Sequence, residues 1–165
     1  MIQRFALAAS LLALSGCGLH PLYGGGASSP VSGLLRSVQV AAIPDRDGWL
    51  LRTKLIDRLG TAEGAARYRL DVTLDDNITS YGLRSDQTAT QERRSLRARY
   101  QLVDIASGSV VLDETAGSDA SIDVVSSEYA TVAAEQTALE NLSGIVADQI
   151  VARLAVYAAR TTHGR

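Results

Sequence analysis

Along the chain, apolar positions switch between a period of two and a period of three to four. Val38, Gln39, Val40, Ala41, Ala42 and Ile43 form a β-compatible run that stops at Pro44 and Asp45. From Trp49 to Leu59 the spacing becomes helical: Leu51, Leu55, Ile56 and Leu59 share a face, Gly60 follows the last turn, and Asp47 is the candidate N-cap. Trp49, in the first turn, is expected in the core, with an interface anchor as the alternative. Tyr68, Leu70, Val72 and Leu74 then alternate with Arg69, Asp71, Thr73 and Asp75, and the strand can continue past Asn77 through Ile78 and Tyr81. Leu96, Ala98, Tyr100 and Leu102 alternate in the same way with Arg97, Arg99, Gln101 and Val103. Ala106, Ser107 and Gly108 turn that strand into Val110, Val111 and Leu112, a hairpin signal. The fourth strand is expected to weaken at Gly117 and resume near Ile122 and Val124. From Ser127 to Arg160 there is no proline, and Leu139, Leu142, Val146, Ile150, Leu154 and Tyr157 recur at helical spacing, which predicts one long helix.

The order strand, helix, three strands, helix predicts an α+β fold. Two helices pack on one face of a four-stranded, mostly antiparallel sheet as a two-layer sandwich. The expected single domain covers residues 37–160, with a disordered tail at 161–165. The sheet's other face would carry Arg69, Asp71, Thr73, Arg97 and Arg99.

Charge and cysteine content narrow the function classes. The 165 residues hold 16 Lys and Arg against 18 Asp and Glu, a formal net charge of -2, so no overall basic footprint for nucleic acid exists. One Cys excludes an internal disulfide, and with two His it cannot build a Cys-rich zinc site. No metal and no cofactor is expected. The Cys stands where Arg4, an apolar run from Phe5 to Leu14, and the small residues Ser15 and Gly16 lead up to it, the layout of a signal peptide over residues 1–16. That run is shorter than a membrane-spanning helix requires.

Leu14, Ser15, Gly16 and Cys17 resemble the lipobox of bacterial lipoproteins. The resemblance implies cleavage before Cys17 and acyl chains on it, and two or more chains anchor a protein stably. Gly18 rather than Asp follows Cys17, which favours the outer membrane, on its periplasmic side. Gly18 to Ser32 is rich in Gly, Ser and Pro, so residues 17–36 read as the lipidated Cys and a flexible tether.

No catalytic constellation is visible. His20 falls in the tether and His163 in the tail, no phosphate-binding glycine loop occurs, and Asp75 and Asp76 point to opposite faces of one strand. A non-enzymatic role is therefore expected. The candidate binding residues are Arg93, Arg94, Arg97 and Arg99, a dense run of guanidinium groups at the start of the third strand. Guanidinium forks suit the phosphates of a glycolipid head group. The alternative is a solvated strand edge with salt bridges to Asp71, Asp75 or Glu92.

Cys17, Gly18, Leu19, His20, Pro21, Leu22, Tyr23 and Gly24 resemble the start of alphaproteobacterial members of the LptE family, the lipopolysaccharide-assembly lipoproteins, with Leu19 where Phe is frequent. The resemblance implies a plug and assembly partner inside the LptD β-barrel, binding to lipopolysaccharide, and anchoring in the outer membrane through Cys17. It also raises the anionic-ligand reading of Arg93, Arg94, Arg97 and Arg99 to parity with the salt-bridge reading. An auxiliary lipoprotein of an ABC-type lipid transporter or secretion system would share the same signal, tether and small domain.

Overall fold

The computed structural model describes residues 30–60, 64–83 and 89–163. The expected signal peptide, Cys17, most of the expected tether and residues 164–165 lie outside them. The elements in chain order are α1 (Pro30–Arg36), β1 (Val38–Val40), α2 (Asp45–Leu59), β2 (Tyr68–Leu83), β3 (Ala89–Asp104), β4 (Val110–Asp123) and α3 (Glu128–His163). One sheet has the order β1-β2-β3-β4. β1 runs parallel to β2, and β2–β3 and β3–β4 are antiparallel. The α+β class and the four strands are as expected, with a third, short helix added.

That added helix revises the tether. Pro30–Arg36 is helical, Leu35 is buried, and Val31 and Leu34 pack against the core. Proline at the first helical position forfeits no hydrogen bond, which suits Pro30 to start a helix inside a segment whose composition otherwise reads as linker. At the other end α3 continues to His163, so the tail expected from residue 161 is helical to that point.

β1 is shorter than the apolar run predicted. After Val40 only the Ala41 N–H still reaches β2, donating to Leu70 O at 3.0 Å. Pro44 (φ -58, ψ 160) and Asp45 (φ 65) then turn the chain off the sheet into α2. The helix therefore begins before Asp47, which makes no capping bond and lies inside the first turn. Leu51, Leu55 and Leu59 are buried as anticipated, and Gly60 closes the helix with φ 79. Trp49 is a correction: it is 62% exposed. The buried positions are Gly48, Leu51, Leu55 and Leu59, and at about 100° per residue Trp49 falls well off that stripe.

The core lies between the sheet's inner face and the helices. Tyr68, Leu70 and Val72 of β2, Leu96, Ala98, Tyr100 and Leu102 of β3, and Ala116 of β4 meet Leu139, Leu142, Val146, Ile150, Val151 and Leu154 of α3. The Tyr68 and Tyr157 rings meet edge to face, 6.3 Å between centroids. Burial, with Glu114 nearby, pushes the Tyr100 hydroxyl up to about 12, so it stays protonated at neutral pH. The β3–β4 turn forms where expected: Gly108 has φ 67 and its N–H donates to Asp104 O at 2.8 Å, while Asp104 Oδ1 accepts from the amides of Ala106 and Ser107.

β4 does not break at Gly117. Gly117 pairs with Arg97, and a Cβ there would stand 2.3 Å from Arg97 Cδ. The glycine lets the arginine stem lie across the strand. Its N–H donates to Gln149 Oε1 of α3 at 3.0 Å, so a helix side chain covers part of this sheet edge.

Gly48 sits equally tightly in α2, where a Cβ would lie 2.6 Å from Ile43 Cγ2 and 2.9 Å from the Ile43 carbonyl carbon. Helix propensity alone favours Ala over Gly by about 1 kcal/mol, whereas forcing atoms into a packed core costs about 1–3 kcal/mol. Gly48→Ala should therefore lower the melting temperature. An unchanged or higher value in a thermal melt would show that the corner between β1 and α2 has room.

Candidate functional site

The arginine run is divided by the pleat of β3. Successive residues of a strand face opposite sides, so Arg93, Arg97 and Arg99 emerge on the outer face beside Ser95 and Gln101, and Arg94 turns inward among the helices. The structure does not bring the four guanidinium groups together.

Arg94 is 8% exposed. Its Nε donates to Asp76 Oδ1 at 2.9 Å and its Nη1 to the Glu135 carbonyl of α3 at 2.9 Å. Nη2 pairs with Asp76 and lies 3.6 Å from Asp47 Oδ2 at the start of α2. One side chain on β3 thus ties β2, α2 and α3 together. The bond to Asp76, and then the charges of Asp76, Asp47 and Glu135, hold the guanidinium above its ordinary range against the opposing effect of burial. Burial, with Asp76 beside it, raises Asp47, and burial with Glu92 beside it raises Glu135. Acidic residues crowd one cation here, and Arg94 holds them in place.

The outer face carries a ladder of ion pairs. Arg99 forks onto Asp113 of β4, with Nε–Oδ1 at 3.1 Å and Nη2–Oδ2 at 2.8 Å. Gln101 Nε2 donates to the same carboxylate at 2.8 Å. Arg97 Nη2 pairs with Asp119 Oδ2 at 2.8 Å, and its Nη1 donates to the Ser118 carbonyl at 2.9 Å. Arg69 pairs with Asp71 at 2.8 Å on β2. Arg93 lies over the Tyr81 ring, 5.5 Å from its centroid. Of the partners expected from sequence, Asp71 and Asp75 do not take these guanidinium groups. Asp113 and Asp119 take them, because diagonal neighbours on an antiparallel pair lie within reach of an arginine. No sequence spacing within β3 could reveal partners that arrive on β4 only through the strand register.

These carboxylates titrate low. The Arg99 and Gln101 bonds hold Asp113 at about 2, the Ser95 and Arg97 bonds lower Asp119, and the Arg58 bond lowers Asp148, which joins α2 to α3. Among the described residues no group of His, Cys, Asp and Glu is arranged to hold a metal ion.

The sequence pattern of the LptE family, described as lipopolysaccharide-assembly, matches residues 35–154. The chain belongs to the LptE family. Among curated proteins none matches it. Of the solved structures it resembles, a Caulobacter crescentus CB15 protein assigned as a lipoprotein is 27% identical with a TM-score of 0.64, covering 81% of this chain and 98% of that one. The rare lipoprotein B of Shewanella oneidensis shares 11% identity at a TM-score of 0.60, covering 76% and 98% of the two chains. A minor lipoprotein of Acinetobacter baumannii shares 16% at 0.54, covering 74% and 92%. The last two likenesses show the fold of this LptE-family chain.

Two consequences can be measured. Arg94→Gln leaves Asp76 and Asp47 without their cation and should cost about 3–5 kcal/mol of stability. Arg97→Gln and Arg99→Gln, on the solvated face, should leave the melting temperature almost unchanged. Equal losses for all three in chemical denaturation would contradict the division of the run. The second concerns pH. Because Asp113 titrates lower in the folded chain, its contribution is complete above the ordinary value of 3.8 and disappears as pH falls towards about 2. Melting temperatures followed from pH 5 down to pH 2 should fall less steeply across that window in Asp113→Asn than in the parent chain.

Proposed function

We propose that this LptE-family chain is an outer-membrane lipoprotein, acylated on Cys17 and facing the periplasm. It acts without catalysis as a plug and assembly partner inside an LptD-type β-barrel during lipopolysaccharide transport. The single observation that carries the reading is the family match over residues 35–154. Two others support it. The lipobox-like residues Leu14, Ser15, Gly16 and Cys17 supply an anchor. The outer sheet face pairs Arg97 and Arg99 with Asp119 and Asp113, a polar surface suited to the water-filled interior of a membrane barrel.

Within this reading Arg93, Arg97 and Arg99 are the candidates for the phosphorylated head group of lipopolysaccharide. An incoming phosphate would exchange with carboxylates already seated on two of them. Arg94, expected from sequence in the same role, serves the interior through Asp76 and Asp47.

A mild-detergent pull-down of the acylated protein from outer membranes, followed by mass spectrometry, tests the assembly role. A barrel of the LptD kind should be retained in near-equal amount after a salt wash. Recovery of inner-membrane transporter subunits instead would overturn the proposal in favour of an auxiliary transporter lipoprotein. Replacing Arg93, Arg97 and Arg99 together by Gln should weaken lipopolysaccharide binding in a chain that still folds, and undiminished binding would remove these residues from the head-group role.

A further inference from the structure

The two edges of the sheet are treated differently. On β4 the Gly117 N–H is taken by Gln149 of α3. On the other side β1 pairs only with Tyr68, Arg69 and Leu70, while β2 runs on to Leu83. Tyr68 N–H donates to Ser37 O and Leu70 O accepts from Ala41 N–H, so the even-numbered residues of β2 direct their backbone groups away from β3. The β2–β3 register continues unbroken to Tyr81. Val72, Leu74, Asp76, Ile78 and Ser80 therefore present a row of outward-facing amides and carbonyls. Such a row is a template for another strand.

Beside this edge lies a groove of about 540 Å³, at the place β1 would occupy had it continued. Its walls are Ile43 and Pro44 on one side and Val72 to Asp76 on the other, with Asp45 and Asp47 at the start of α2. The apolar side chains thin out along the strand: Leu74 is half-buried and Ile78 is exposed, while Leu96 and Ala98 on the adjacent strand are fully buried. Four acidic residues and no basic one line the groove; Asp47 and Asp76 are already held by Arg94, which leaves Asp45 and Asp75 to meet an incoming cation.

We propose that the open edge of β2 receives an extended, basic segment of a partner polypeptide by strand addition. Alternation fixes the chemistry of that segment. Side chains pointing to the helix layer would meet Ile43 and Leu74, and those pointing to the outer sheet face would meet Asp75, Asp71 being held already by Arg69, so the segment alternates apolar residues with Lys or Arg. A second copy of β2 is the poorer occupant, since it would bring a second Asp75 to this edge and no unpaired base, its Arg69 being held by Asp71. The proposal goes beyond the assembly reading and is tested without the barrel.

The experiment measures amide hydrogen exchange on the full, acylated chain in detergent, alone and with a ten-residue synthetic peptide alternating Lys and Val. Val72, Leu74 and Asp76 amides should slow by at least about tenfold, while Asp71, Thr73 and Asp75, already turned towards β3, should not change. A peptide carrying Glu in place of Lys should give no protection. Ile78→Pro removes one outward amide at an edge position where proline is tolerated, and it should weaken peptide binding without lowering protection of the β3-facing amides. Three results would overturn the proposal: no binding, binding with no amide protection, or protection of these amides without peptide that rises with protein concentration. The last would give the edge to a second copy.

Discussion

Everything in this molecule is arranged around the need to cover one face of a long central strand. β3 is hydrogen-bonded on both sides, so its inner face must be buried along its length by something equally long. From Arg94 to Asp104 the strand rises about 34 Å at 3.4 Å per residue, and from Glu135 to Tyr157 the helix α3 rises about 33 Å at 1.5 Å per residue. The contacts track this match: Arg94 meets the Glu135 carbonyl, Tyr100 lies at Gln149 and Arg153, and Tyr68, the partner of Asp104, meets Tyr157. A shorter helix would leave either Leu96 or Leu102 in water. Burying one such side chain contributes about 1.5–3 kcal/mol.

The same strand sorts its charges. Alternation sends Arg93, Arg97 and Arg99 to solvent and Arg94 to the interior, and the energetic meaning of an arginine changes with that one-residue step. Outside, a guanidinium paired with Asp113 or Asp119 is screened by water and adds little to stability. Inside, a guanidinium shared by Asp76 and Asp47 joins three elements, and its removal leaves two half-buried carboxylates without their cation. The outer pairs are therefore free to be exchanged for another anion, whereas the inner one is committed to the fold.

Much of the architecture was legible because period is a local property. The alternation of Tyr68 to Leu74 and of Leu96 to Leu102, and the spacing of Leu139 to Tyr157, each declare an element and its buried face. What escaped was decided by partners distant in sequence. Gly117 reads as a weak point until Arg97 is seen lying across it. The tether composition hides α1, whose few turns depend on docking Leu35 against the rest of the chain. Hydrophobicity alone assigns Trp49 to the core, whereas its angle to Leu51 and Leu55 sets it outside the buried stripe. The arginine run was the clearest chemical signal. The period that identifies its strand also divides it, while the identities of Asp113 and Asp119 as partners needed the β3–β4 register.

The position of α1 has a mechanical consequence. Pro30, Gly33 and Leu34 lie with Thr161 and Thr162 of α3 and with Arg67, just ahead of β2. The chain therefore enters the folded body at the end where the β3–β4 turn lies, and β2 and β3 extend away from it for about 50 Å at 3.4 Å per residue. An attachment through the residues preceding Pro30 grips a rod by one tip. Force applied at the far tip acts through the whole length as a lever arm, and the docked α1, with Leu35 as its buried pin, is the joint that bears the torque.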